Sequence, residues 1–191
     1  MADLESLARD WYGQCWNSRS DNDAMWRIYS VDDTGGDAGI QVKTTIRRLF
    51  ENLKKAGSPT PALQFFVGRV AYMSQDEIVA KMSALTFMDI AIGGQGGGFA
   101  DLLCVKREAF SHESEVRILF QDLEPRRGLD QTFLYPLDPN ALFEEIVLDP
   151  RLEDGEVKSL ETELRAAGCE ISIRQSDLYK VPEFIIPAMP T

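Results

Sequence analysis

The sequence predicts an α+β fold, one domain over residues 1–191 in which helices flank a mixed β-sheet. The C-terminal third carries the clearest reason. Residues 144–148 read as a strand, 154–167 as a helix with Val157, Leu160 and Leu164 inward, and 170–174 as a second strand, with Gly168 stopping the helix. A strand, helix and strand joined by short loops most simply form a right-handed parallel crossover. Upstream, strand-like and helix-like segments alternate without a repeat or a long linker. With 44% hydrophobic and 27% charged residues the chain has ordinary globular composition. A chain of this length buries about 70% of its unfolded surface, so it needs neither metal nor disulfide to hold together.

The remaining elements follow from local signals. Residues 3–9 suit a short helix, and the aromatic-rich segment from Trp11 to Asn17 suits a strand. Ser20 offers an N-cap with Asp23 three residues on, and Met25, Ile28 and Tyr29 share the apolar face of the helix that follows. A turn covers Asp32 to Asp37, a strand Gly39 to Thr44, and a basic amphipathic helix residues 45–56. Gln64 to Met73 is apolar enough to be a central strand. Ser74 and Glu77 form a capping-box pattern that opens a long helix with Ile78, Met82 and Leu85 on its apolar face. Glycine is a poor helix former, so that helix is expected to stop before the run from Gly93 to Gly98. Strands near 101–106 and 114–120 come next, and Pro125 to Asp130 reads as a loop.

Several classes of function are disfavoured at this level. The longest apolar stretches are interrupted well before the ~20 residues of a membrane span, and the opening MADLESLARD lacks the basic and apolar regions of a signal peptide. Cys15, Cys104 and Cys169 are widely spaced, odd in number and set among apolar residues, which suits buried free thiols in a reducing cytoplasm. With one histidine in the chain, clustered Cys and His ligands for zinc are missing, so no metal is expected. A net charge of −11 disfavours a nucleic-acid partner, because such binding rests largely on basic groups displacing counterions. The basic run Lys43, Arg47, Arg48, Lys54 and Lys55 fits a solvated helix face.

The segment KREAFSHESEVRILF, Lys106 to Phe120, is the most informative for chemistry. Residues two apart on a strand face the same side, roughly 6.6 Å apart along the chain. Glu113, Glu115 and Arg117 would then project together while Val116, Ile118 and Phe120 enter the core. Two carboxylates so placed can divide labour, one steadying a developing positive charge and the other orienting or deprotonating a nucleophile. Arg117 could position a carboxylate or meet a phosphate. The same pattern fits the polar face of an ordinary amphipathic strand with Arg117 paired to a neighbouring glutamate.

Two blocks of the sequence resemble the bacterial domain-of-unknown-function family numbered 2971. One comprises YGQCWN, DAMWRIYS and GIQVKT; the other is Lys106, Phe110, Glu113, Glu115 and Arg117, spaced K-x3-aromatic-x2-E-x-E-x-R. The later LYPLDPNALFEEIVLDP with its helix and strand also fits. E-x-E leading into an apolar strand is further similar to the catalytic-glutamate strand of ADP-ribosyltransferases, and the CWN strand resembles their Ser-Thr-Ser strand. That resemblance implies an NAD-using enzyme of the bacterial cytoplasm with an ADP-ribosyltransferase-like core and a protein or small-molecule acceptor. Glu115 would bond the nicotinamide-ribose 2′-hydroxyl, Glu113 would orient the acceptor, and Trp16, Trp26 or Tyr29 would stack on nicotinamide, with Asn17 and Arg117 completing the NAD site. Those enzymes grip NAD with an Arg or His on an earlier strand. Here Arg9 is the one basic residue before Trp11, in a segment that reads as helix. A non-catalytic protein- or nucleotide-binding module of the same fold is the alternative.

Other features have simpler explanations. Trp11, Trp16, Trp26, Tyr12 and Tyr29 could line a pocket, but large aromatics usually form core. The glycine run is no phosphate-binding loop, since no Gly-Lys-Ser/Thr follows it. His112 neighbours Ser111 on what reads as strand, where adjacent side chains point apart, and it is taken as structural.

Overall fold

A computed structural model describes residues 8–30, 38–56, 65–92, 97–122 and 132–182. In chain order the elements begin with β1 (Trp11–Asn17), α1 (Asp23–Tyr29), β2 (Ile40–Lys43), α2 (Ile46–Ala56), β3 (Phe65–Arg69) and β4 (Ala71–Met73). They continue with α3 (Gln75–Ala84), α4 (Phe87–Ile92), α5 (Gly97–Leu102), β5 (Val105–Arg107), a 3-10 helix (Glu108–Glu113) and β6 (Glu115–Gln121). The last are α6 (Pro139–Leu142), β7 (Glu145–Leu148), α7 (Asp154–Ala166) and β8 (Ser172–Gln175). Helix and strand are mixed in small sheets, which gives the expected α+β class. The chain divides into two compact units, Met1–Ser20 with Thr44–Leu142, and Asp21–Lys43 with Phe143–Thr191.

In the first unit an antiparallel sheet has the order β1-β6-β3. The central strand β6 buries five of its seven residues, including Val116, Ile118, Leu119 and Phe120, so both of its faces are core. On one face Leu119 packs with Ala100, Cys104, Trp11, Phe66 and Leu103. On the other, Phe120 stacks on Phe65 at 4.9 Å between ring centroids, and Phe50 of α2 meets Phe65 edge-on at 5.9 Å. The basic helix at 45–56 forms as expected, with Leu49 and Leu53 buried.

Two elements of this unit differ from the sequence reading. The single central strand expected over 64–73 is two strands. β3 is an outer strand of the β6 sheet, whereas β4 pairs in parallel with β5. The change of sheet occurs at Val70, whose N–H donates to the Glu115 carbonyl at 2.9 Å while Ala71 N–H donates to Cys104 at 2.8 Å. The long helix expected after Ser74 is also two. The Ser74–Glu77 capping box opens α3, which has no buried residue, and a Thr86–Asp89 pair starts α4. The expected stop before Gly93 holds, since α4 ends at Ile92, but Gly97 and Gly98 open α5, where glycine was not expected to sustain a helix. Close packing explains it: a Cβ on Gly98 would stand 2.0 Å from the Asp89 carbonyl oxygen, so only glycine lets α5 approach α4.

The second unit has the sheet order β2-β7-β8, antiparallel and then parallel. The expected C-terminal strand-helix-strand is present as β7, α7 and β8. Val157, Leu160 and Leu164 pack with Ile146, Leu148 and Ile171, and Gly168 ends the helix at φ 90°. Helix α1 begins later than expected. Asn22, not Ser20, is its N-cap, accepting from Ala24 N–H at 3.0 Å. Its inward residue is Trp26, while Ile28 and Tyr29 are exposed, which corrects the predicted apolar face. The predicted elements at 3–7, 32–37 and 125–130 lie outside the described residues. No helix among the described residues is long and apolar enough to cross a membrane.

Gly68 and Gly155 make a test of this packing. A Cβ at Gly68 would stand 2.6 Å from the buried Cys104 sulfur, whereas nothing lies within 4 Å of one at Gly155 in α7. Gly68→Ala should destabilise by about 1–3 kcal/mol, and Gly155→Ala should be neutral or stabilise by up to about 1 kcal/mol. Urea unfolding followed by circular dichroism measures both; equal midpoints would contradict the arrangement.

Candidate functional site

The site grows from the first three residues of β6. Glu115, Arg117 and Leu119 alternate onto one face of the sheet, where their cross-strand partners are Asn17, Cys15 and Gly13 on β1. On the other side Gly68 faces Arg117 and Phe66 faces Leu119. Small partners leave room for the long Arg117 side chain to fold back along its own strand. Its Nε donates to Glu115 Oε1 at 2.8 Å and its Nη2 to Oε2 at 3.2 Å, while Nη1 donates to the Leu103 carbonyl.

Lys106, from β5, closes the group. Its Nζ donates to Glu113 and, at 3.3 Å, to Glu115 Oε2. The ammonium also lies 4.9 Å from the centre of the Phe110 ring. Glu115 N–H donates to the Tyr72 hydroxyl at 2.8 Å, so the main chain at this point is fixed as firmly as the side chain. The Glu115 side chain is 4% exposed, against 15% for Glu113 and 25% for Lys106.

Electrostatics follow from these contacts. Burial alone would raise the Glu115 carboxyl, but hydrogen bonds from Arg117, Cys15 and Lys106 outweigh it and hold the group down at about 2, from an ordinary 4.5. Burial and the Glu115 carboxylate together push the Cys15 thiol up from 9.0 to about 11. Cys15 is exposed as a residue, although its thiol is partly desolvated against Glu115. It therefore stays protonated at neutral pH and acts as a donor to Glu115, not as a nucleophile. Burial works against the Lys106 ammonium, and Glu113 and Glu115 more than offset it, so its affinity for a proton is raised. The arrangement presents a carboxylate that is ionised at neutral pH. It can stabilise positive charge or accept a hydroxyl donor, and it cannot serve as a general acid near neutrality.

The structure unites Glu113, Glu115 and Arg117 as the sequence suggests, but by a different route for Glu113. The expected strand does not include that residue. Glu113 ends the 3-10 helix, and Ser114 takes the left-handed conformation at φ 42°, breaking the alternation. Its carboxylate reaches the cluster through Lys106. Asn17 faces Glu115 in register, and its Oδ1 accepts from Arg19 N–H at 2.6 Å. Trp16 pairs with Val116 and so lies on the opposite face from Glu115. Trp26, 5% exposed, and Tyr29, 66% exposed, belong to the second unit. The participation of Lys106, Cys15 and Tyr72 was not predicted. Lys106 stood in the quoted motif without a role, and Cys15, expected buried, lies on an outer strand. Cys104 is buried as expected, and Cys169 is half-buried.

No group of three or more His, Cys, Asp or Glu residues among those described could hold a metal ion. Compared with protein-family models, curated proteins and solved structures, the chain matches none.

The low Glu115 value has a consequence for acid stability. A carboxyl at about 2 when folded and 4.5 when free contributes stability in full above pH 4.5, lost as pH falls towards 2, on the order of 3 kcal/mol. Glu115→Gln removes that dependence, so stability from urea unfolding should fall less steeply with acid in the variant. Parallel acid limbs for the two proteins would refute it.

Proposed function

We propose that the first unit carries an ADP-ribosyltransferase-like centre that cleaves the nicotinamide–ribose bond of NAD, with Glu115 as its charged residue. One observation carries the proposal. The strand that Glu115 opens and the CWN strand are hydrogen-bonded neighbours, with Asn17 opposite Glu115 and Cys15 on the same face as its ionised carboxylate. Cleavage of this bond leaves with nicotinamide the electron pair of the C1′–N1 bond and builds positive charge on the ribose. A buried carboxylate that stays ionised is suited to that charge, because a low-dielectric site strengthens the attraction. Oε1 is held at 2.8 Å by Arg117, whereas both bonds to Oε2 exceed 3 Å, so Oε2 is the oxygen a ribose hydroxyl would claim. Glu113, nearer to solvent, takes the proton of the acceptor as the acceptor oxygen or nitrogen bonds to C1′. With water as acceptor the products are nicotinamide, ADP-ribose and a proton. Trp26 and Tyr29 are not needed for these steps.

The closed state of the cluster favours a second reading. Both Glu115 oxygens are bonded and its side chain is nearly inaccessible, as in a structural ion cluster within a non-catalytic binding module. Nicotinamide release from NAD, followed by chromatography, separates the two. The catalytic reading predicts release by the wild type, and a loss of about 100-fold or more in Glu113→Gln and Glu115→Gln variants whose circular dichroism is native-like. Silence from the wild type, with no thermal shift on adding NAD, would leave the second reading standing.

A further inference from the structure

The sheet face turned away from Glu115 carries a different kind of site. Tyr12 pairs with Phe120 and Gln14 with Ile118 across β1 and β6, so all four side chains share that face. With Phe133 and Tyr135 they border a cavity of about 190 Å³. The Phe133 ring centre is 4.8 Å from Phe120, 5.6 Å from Tyr12 and 6.2 Å from Tyr135, so the aromatic wall is continuous. A dry engineered cavity of roughly 150 Å³ holds benzene, so this one admits a single ring with a small substituent. Among the described residues, none that lines it carries a charge. A charged occupant would give up part of its hydration without an ionic partner among these side chains, which favours a neutral ligand.

The polar part of the cavity narrows the chemistry further. Tyr135 Oη donates to Gln14 Oε1 at 3.2 Å, longer than the roughly 2.7–2.8 Å usual for O–H···O bonds and so readily exchanged. A glutamine amide offers an acceptor and donors on one edge. Another amide is the simplest group that meets both with two hydrogen bonds. A tyrosine hydroxyl beside it, able to donate or accept, suits the same ligand. We propose that this cavity binds an uncharged, single-ring aromatic carboxamide, with its ring among Tyr12, Phe120 and Phe133 and its amide on Gln14 and Tyr135. The site does not depend on the Glu115 reading, since it lies on the other face of the sheet.

Titration of the full chain with benzamide tests the proposal, with benzoate as the charged control and toluene as the control lacking an amide. Chemical shifts of Ile118 and Phe120 report on occupancy. Benzamide should bind in the low millimolar range or tighter, with benzoate and toluene at least about tenfold weaker, the change expected for one lost hydrogen bond. Gln14→Leu and Tyr135→Phe should each weaken benzamide by roughly tenfold. Glu115→Gln should leave benzamide binding unchanged, which separates this site from the proposed NAD centre. Absence of benzamide binding, equal binding of toluene, or equal affinity in the wild type and both cavity variants would each overturn it.

Discussion

Arg117 carries a full positive charge in the middle of a central strand, and much of the first unit is arranged around keeping it there. Removing an ion from water costs several kcal/mol even after relaxation, and the cost is offset only when each hydrogen-bonding group finds a partner. Arg117 finds Glu115 and the Leu103 carbonyl. Its cross-strand neighbours are Cys15 and Gly68, small enough to leave space for the guanidinium. Glu115, desolvated in turn, needs more than one cation, and Lys106 supplies the second from β5. The break at Val70 belongs to the same arrangement. Through it the chain bonds first to Glu115 in one sheet and then to Cys104 in the approach to the other, so the ion cluster marks the place where the two ladders meet.

The second unit solves a similar problem with the same spacing of residues. Asp149, 1% exposed, follows β7, and Arg151 two residues on pairs with it through Nε at 3.0 Å and Nη2 at 2.6 Å. Burial would raise this carboxyl, but Arg151 and Ser30 more than reverse that and lower it. Here the guanidinium also donates to the carbonyls of Trp26 and Ser30, at the end of α1. The Ser30 carbonyl has no donor within the helix, whereas the Trp26 carbonyl also accepts from Ser30 N–H, and a cation there meets the favourable end of the helix dipole. In each unit a buried acid pairs with an arginine two residues on, yet the spare guanidinium donors serve different ends: a loop carbonyl in the first unit and a helix terminus in the second.

Legibility from sequence followed the range of the interactions. The β7-α7-β8 unit could be read because its period-3.6 pattern, its stop at Gly168 and its short connections are all local. The Ser74–Glu77 capping box could be read for the same reason. The split of 64–73 into β3 and β4 could not. It depends on Val70 and Ala71 bonding to residues more than thirty positions away, and their side chains give no sign of it. Gly98 misled because glycine lowers helix propensity while here it relieves a steric contact with Asp89, a tertiary effect stronger than the local one. In the site, the i, i+2 rule correctly put Glu115 and Arg117 on one face. Glu113 was brought to the same cluster by a left-handed Ser114 and a lysine, which strand periodicity cannot express.

Whether this cluster can act on a ligand turns on its least constrained member. Arg117 is tied to its own strand by two bonds to Glu115 and one to Leu103, and moving it would leave a buried charge unpaired. Cys15 donates only a weak S–H bond but is fixed by the β1 ladder. Lys106 is different. It is the most exposed of the charged groups, its bond to Glu115 is the longest at 3.3 Å, and Glu113 and the Phe110 ring can retain it once that bond is given up. Its release would free one lone pair of Oε2 while Arg117 keeps the carboxylate ionised and oriented. A polar ligand with a hydroxyl to donate could take the vacated position without stranding any charge. The ion cluster thus supports the fold through Arg117 and has its exchangeable contact in Lys106. Stability at Glu115 and its most exchangeable contact rest on different cations.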